Sequence, residues 1–113
     1  MESGYGLLCE DDMTLLEQLH AVRARIEKGW TKGTYARDKD GQKTYFDSPT
    51  ACKWCLAGAC FVEQCEEAVD YINEYLISNY YIGIPAWNDR DGRKKREVLE
   101  LLDQLITTVS TAS

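Results

Sequence analysis

The chain has 113 residues, 44% of them hydrophobic and 28% charged, and carries a formal net charge of −6. That length supports one core but is short for two, and the apolar content excludes an intrinsically disordered polymer. The acidic balance argues against a duplex-binding protein, in which neutralised phosphates supply most of the affinity, and no apolar run approaches the roughly 20 residues needed to cross a bilayer.

The N-terminal sequence MESGYGLLCEDD lacks the basic start and apolar stretch of a secretory signal, so a cytoplasmic protein is expected. Charge is unevenly spread, with −5 over residues 1–20, +4 over 21–46, −6 over 47–89 and +1 over 90–113. The folded molecule should therefore have acidic and basic faces.

The first predicted helix runs from about Leu15 to Lys28. Thr14 and Glu17 have the spacing of a capping box, in which side chains satisfy the amides left free at a helix start. At 100° per residue Leu15, Leu19, Val22 and Ile26 share a narrow inward arc, and Gly29 follows as a left-handed C-cap. Over about residues 30–47 the periodicity changes. Thr34 and Tyr35 on one side, and Thr44, Tyr45 and Phe46 on the other, flank the turn-forming Asp38-Lys39-Asp40-Gly41, which predicts a small β-hairpin, with a structured loop as the competing reading. Two strands alone are marginal in water, so the hairpin has to pack on the helices through its aromatic residues.

Asp47 or Ser48 as N-cap and Pro49 in the first turn predict a second helix through PTACKWCLAGACFV, apolar all round and hence central, with Ala57, Gly58 and Ala59 allowing a close neighbour. From Cys65 to about Ser78 the pattern is amphipathic, with Val69, Ile72 and Leu76 inward, either continuing the central helix or following a bend near Glu63. A loop containing Gly83 and Pro85 follows, then a last helix from near Asp91 to Thr108 with Val98, Leu101, Leu102, Leu105 and Val109 on one arc. The expected fold is mainly α: one domain over residues 1–113, a bundle of about four helices around a buried central helix.

Five cysteines, Cys9, Cys52, Cys55, Cys60 and Cys65, leave one unpaired in any complete disulfide scheme. Cys52, Cys55, Cys60 and Cys65 match the ligand number of a zinc site, yet they fall in or beside one helix and rotate away from one another, so they read as small buried hydrophobes. His20, the sole histidine, projects away from the apolar arc of the first helix and reads as a surface residue rather than a catalytic base. No phosphate-binding glycine loop occurs, and neither a metal nor a cofactor is called for. Arg93, Lys94, Lys95 and Arg96 gather at the start of the last helix, where the helix dipole disfavours cations. They fit either an anion or acidic contact or a solvated face with local pairs such as Arg96 with Glu100.

Three stretches, GWTKGTYARDKDG (Gly29 to Gly41), CKWCLAGA (Cys52 to Ala59) and WNDRDGRKKREVLELLDQLI (Trp87 to Ile106), make up about a third of the chain. Together they resemble a family of short uncharacterised proteins from actinobacteria and phages, whose members look alike in GWxxGxxARDxxG, WCxxGA and NDxxGR…EVLxxLD segments. The resemblance implies a fold and a phage or bacterial setting rather than a reaction. Should these segments meet in space, Trp30, Arg37, Asp38, Trp54, Asn88, Asp89 and Arg93 would line one pocket; core anchoring by the tryptophans and helix capping by Asn88 and Asp89 is the competing role.

The favoured functional reading is a non-enzymatic protein-binding module, in its sharpest form an acidic inhibitor of a host or defence factor that has a basic groove. Its contact row is Glu67, Asp70 and Glu74, joined by Glu63 if the helix extends that far. The first alternative is a small-ligand-binding protein or enzyme using the region of Trp30, Arg37, Asn88 and Asp89. The second, disfavoured by the acidity, is nucleic-acid binding through Arg93 to Arg96. A partner with a basic surface and no membrane association is expected.

Overall fold

A computed structural model describes residues 13–112. Helix α1 spans Leu15–Lys28, and its capping box forms as the sequence predicts: Glu17 N donates to Thr14 Oγ1 at 3.1 Å and Thr14 N to Glu17 Oε1 at 2.9 Å. Leu19, Val22 and Ile26 are fully buried. Gly29 does not form the expected left-handed cap, because its backbone is extended at φ 178°. A side chain is excluded there by close approach instead, since a Cβ would lie 2.2 Å from the Cys52 carbonyl oxygen.

The hairpin is present. Strand β1 (Ala36–Arg37) pairs antiparallel with β2 (Lys43–Thr44) in the register Ala36 to Thr44 and Arg37 to Lys43. Asp38 closes the turn, its Oδ1 accepting from Asp40 N at 2.9 Å and Gln42 N at 3.0 Å. A third strand, β3 (Lys53–Trp54), pairs with β1 on its other side, giving the order β2-β1-β3. The hairpin is held to the helices through aromatic rings, with Phe46 5.5 Å and Tyr35 5.8 Å from Phe61 between centroids.

Strand β3 lies where the sequence predicts the first half of the central helix, so that expectation is corrected, together with the N-cap at Asp47 or Ser48. The cause is tertiary pairing. Cys52 N donates to Arg37 O at 2.9 Å, Trp54 N to Gly29 O at 3.0 Å and Cys55 N to Tyr35 O at 3.1 Å, so the backbone of this segment bonds to its neighbours rather than to itself. Helix α2 is accordingly short, Leu56–Val62, and Cys55 is its N-cap, with Sγ accepting from Gly58 N at 3.2 Å. Leu56, Ala57, Gly58, Ala59 and Cys60 are all buried, which makes this the central helix.

A left-handed residue, Gln64 at φ 58°, separates α2 from α3 (Glu66–Tyr80), whose inner side buries Ala68, Ile72 and Leu76. The loop expected around Gly83 and Pro85 is corrected to a one-turn helix, α4 (Ile84–Asn88), with Pro85 in its first turn, where a missing N–H costs nothing. Helix α5 (Lys95–Ala112) begins later than Asp91, after a turn in which Arg93 N donates to Arg90 O at 3.0 Å. It packs along α1 through Val98, Leu101, Leu102 and Leu105, all buried.

In the first turns of α3 and α4, side chains from other elements supply acceptors for the amides that face inward. Gln18 of α1 accepts from Ala68 N at 3.0 Å, and Asn73 of α3 accepts from Ile84 N at 3.0 Å.

A second close backbone approach is at Gly58 in the central helix, where a Cβ would sit 2.3 Å from the Tyr35 carbonyl oxygen. Neither partner is the end of a flexible side chain. Gly58→Ala is therefore expected to lower stability by about 1–3 kcal/mol or more through overpacking, read as a shift of the urea midpoint. An unchanged midpoint would show that this contact is loose.

Candidate functional site

Helix α4 delivers Asn88, 1% exposed, to the junction of three parts of the chain. Its Oδ1 accepts from Trp30 Nε1 at 2.8 Å and from Leu56 N, the first amide of α2, at 3.1 Å. Its Nδ2 donates to Thr31 O at 3.3 Å and to Asp89 Oδ1 at 2.9 Å. Two acceptor and two donor interactions use the hydrogen-bonding capacity of an amide fully. Asp89 Oδ1 also accepts from Gly33 N at 2.9 Å. Arg37 extends the network from below, with Nε on Thr31 Oγ1 at 2.8 Å and its terminal nitrogens on the Gly41 and Lys32 carbonyls at 3.0 and 3.2 Å.

Trp30, Arg37, Asn88 and Asp89 thus come together through the segment Thr31 to Gly33, but as a folding device whose polar atoms are largely spent on one another. The side chains of the other residues of the predicted pocket have separate partners. Asp38 closes the hairpin turn. The Trp54 side chain donates to Phe46 O at 2.9 Å and lies under the Arg25 guanidinium, 4.6 Å from the ring centroid. Arg93 stacks 3.7 Å from the Trp87 ring centroid, donates to Trp87 O and pairs with Glu97 at 3.5 Å. Beside the Asn88 network is an open cleft of about 360 Å³, lined by Gly33, Thr34, Tyr35, Cys55, Pro85 and Asp89 among others.

The basic run is divided in the same way. Arg93 serves Trp87, and Lys95 reaches the last turn of α1, its Nζ donating to Glu27 O at 2.7 Å. Lys94 and Arg96 remain exposed, with Arg96 3.9 Å from Glu100.

On α3, Glu67, Asp70 and Glu74 are exposed. Glu63 does not continue the row. It caps the C-terminus of α2 and pairs with Arg25, whose Nε lies 2.7 Å from Glu63 Oε2. In contrast to Glu63, none of the three α3 carboxylates forms an ion pair or side-chain hydrogen bond among the described residues. Ile77, 48% exposed, follows at the spacing that keeps residues on the same side of the helix, and Tyr81, 87% exposed, is the left-handed C-cap just beyond it. Neither was singled out from the sequence, although 67, 70, 74 and 77 form one continuous 3-4-3 series.

Cys55, Cys60 and Cys65 are buried and Cys52 half-buried, and Cys9 lies outside the described residues. No three His, Cys, Asp or Glu side chains among the described residues form a metal-binding group. His20 is exposed on α1. Among the described residues no helix is long and apolar enough to cross a membrane.

Burial pushes the Cys55 thiol up, with the Asp89 charge adding to it, and raises Cys60 further through burial and its neighbours Cys65 and Cys55. Both remain protonated where a nucleophile would have to ionise. A raised folded-state pKa means stability that is fully present below the unfolded thiol pKa of about 8.5 and lost as pH rises above it. The urea midpoint should therefore fall from about pH 8 to pH 10, and fall less in Cys60→Ala. Equal pH slopes in the two proteins would contradict the assignment.

Removing the Asn88 side chain strands Trp30 Nε1 and Leu56 N at once. Asn88→Ala should cost about 1–3 kcal/mol for each stranded donor, with Trp30→Phe costing less because it removes a donor together with its need. Chemical denaturation ranks them, and a larger loss in Trp30→Phe would argue that ring packing dominates.

No curated protein and no solved structure matches the chain. Its sequence matches the profile of DUF6197, a family of unknown function, over residues 10–108, and the chain belongs to that family.

Proposed function

We propose that this protein is a non-enzymatic binding module whose outer α3 face docks a protein partner. The partner would be basic opposite Glu67, Asp70 and Glu74 and apolar opposite Ile77 and Tyr81. One observation carries the reading: three carboxylates without ion-pair partners among the described residues share one helix face with the exposed Ile77, and the exposed Tyr81 caps the end of that helix. Like charges at these spacings disfavour the helix by roughly 0.2–0.5 kcal/mol per pair, and no lysine or arginine on α3 relieves them. Stability alone does not account for such a row. Inhibition of a host or defence factor through its basic groove is the sharpest form of this function, in keeping with the phage or bacterial setting that the sequence resemblance implies.

Magnitudes divide the labour along the row. Exposed ion pairs contribute about 0.2–1 kcal/mol each, so the carboxylates mainly set approach and orientation. Tyr81 and Ile77 supply the apolar area that holds the complex, since a few buried aromatic or aliphatic anchors carry most interface energy.

Replacing Glu67, Asp70 and Glu74 by Lys together should leave the circular-dichroism spectrum and melting temperature nearly unchanged. The test partner is an amphipathic helical peptide, lysine-rich along one half and leucine-rich along the other. Wild-type amide resonances of α3 should shift on its addition, less as salt rises, and the triple variant should show no such shifts. Shifts that persist in the triple variant, or that map away from α3, would rule out this face as the docking surface.

A further inference from the structure

The cleft beside Asp89 carries chemistry that neither the fold nor the α3 face uses. Asp89 is fixed in orientation, with Oδ1 held at 2.9 Å by both Gly33 N and Asn88 Nδ2. Its other oxygen, Oδ2, has no hydrogen-bond partner among the described residues, and no described cation pairs with the carboxylate. Of the nearby basic residues, Lys32 Nζ donates to Arg90 O at 3.0 Å and Arg93 is held by Trp87 and Glu97, while the exposed Arg90 side chain forms no ion pair with Asp89.

We infer that this cleft binds an alkylammonium or guanidinium group, with Asp89 as counter-ion. The carboxylate stands at the rim of a concavity of about 360 Å³ whose other walls are small or apolar, Gly33, Ala57 and Pro85 among them, with the half-exposed Tyr35 on one side. A rigid carboxylate without a counter-charge over an apolar wall suits a cation on a short hydrocarbon stem: the head pairs with Oδ2 and the stem lies on the wall. The volume lies within the range of small-molecule sites, at its lower end. Asn88 sets the position of Asp89 and so acts as a positioning residue, while Asp89 itself would touch the ligand. This site is independent of the α3 face and stands or falls separately from it.

The same head group is presented by a free amine and by a Lys or Arg side chain of a peptide. Butylammonium, butylguanidinium, a capped Gly-Arg-Gly tripeptide and neutral butyramide are therefore titrated at constant ionic strength, following the amides of Gly33, Thr34, Cys55 and Asp89. The cations are expected to shift these amides and butyramide to leave them in place. Asp89→Asn keeps an oxygen for Gly33 N and Asn88 Nδ2 but removes the charge, and should weaken cation binding about fivefold or more at unchanged melting temperature. Tighter binding of the tripeptide than of butylguanidinium assigns the site to a partner's side chain; the reverse order assigns it to a small molecule. Equal shifts from butyramide, unchanged affinity in Asp89→Asn, or cation shifts on α3 instead of the cleft would overturn the inference. Should Asp89→Asn fail to fold, nuclear Overhauser contacts between the butylguanidinium methylenes and Pro85 or Tyr35 in the wild type decide the matter, and their absence overturns it.

Discussion

The first amides of a helix have no acceptor within it, and in three helices of this fold one such amide is wholly or partly buried. The amide side chains that answer them come from other elements: Asn88 for Leu56 of α2, Gln18 for Ala68 of α3, Asn73 for Ile84 of α4. Each stranded amide would cost about 1–3 kcal/mol, a sizeable share of the roughly 5–15 kcal/mol by which domains are stable. The helices are therefore tied to one another by directed bonds as well as by apolar burial. Asn88 is the hub, because it also takes the Trp30 indole and fixes Asp89.

This constraint sorts the polar residues by role. Trp30, Arg37, Asn88 and Arg93 are spent on holding segments together, and the buried thiols are kept protonated by the same dry interior. The two contact sites proposed above lie at the periphery: the outer face of α3, and the Asp89 oxygen that has no partner among the described residues. The two are different in kind. One is an exposed helix face proposed for a macromolecule; the other is a concave site proposed for a single charged group.

Much of the architecture was legible in the sequence because it follows local rules. The α1 capping box, the inward arcs of α1, α3 and α5, and the hairpin around Asp38 to Gly41 all depend on neighbours a few residues away. The failures share one cause, in that the deciding partner is distant in sequence. Cys52 to Trp54 look helical in isolation but are claimed by Arg37 and Gly29, and Gly29 is required by Cys52 rather than by a left-handed turn. One-turn α4 is too short for periodicity to register. At the site, Trp30, Arg37, Asn88 and Asp89 share one hydrogen-bond network, whereas the separate roles of the Asp38, Trp54 and Arg93 side chains depend on contacts that the sequence does not display. Gln18, a polar residue at the edge of an apolar arc, was the signal overlooked.

Native-state hydrogen exchange at Leu56, Ala68 and Ile84 tests cross-capping most directly. These are first-turn amides, which in a helix capped only by water exchange by local fraying. If the side chains of Asn88, Gln18 and Asn73 tie the helices together, all three amides exchange only through global unfolding, with the same free energy as core amides such as Leu102. Fast exchange at these amides alongside a protected core would mean that the helices are held by apolar packing alone.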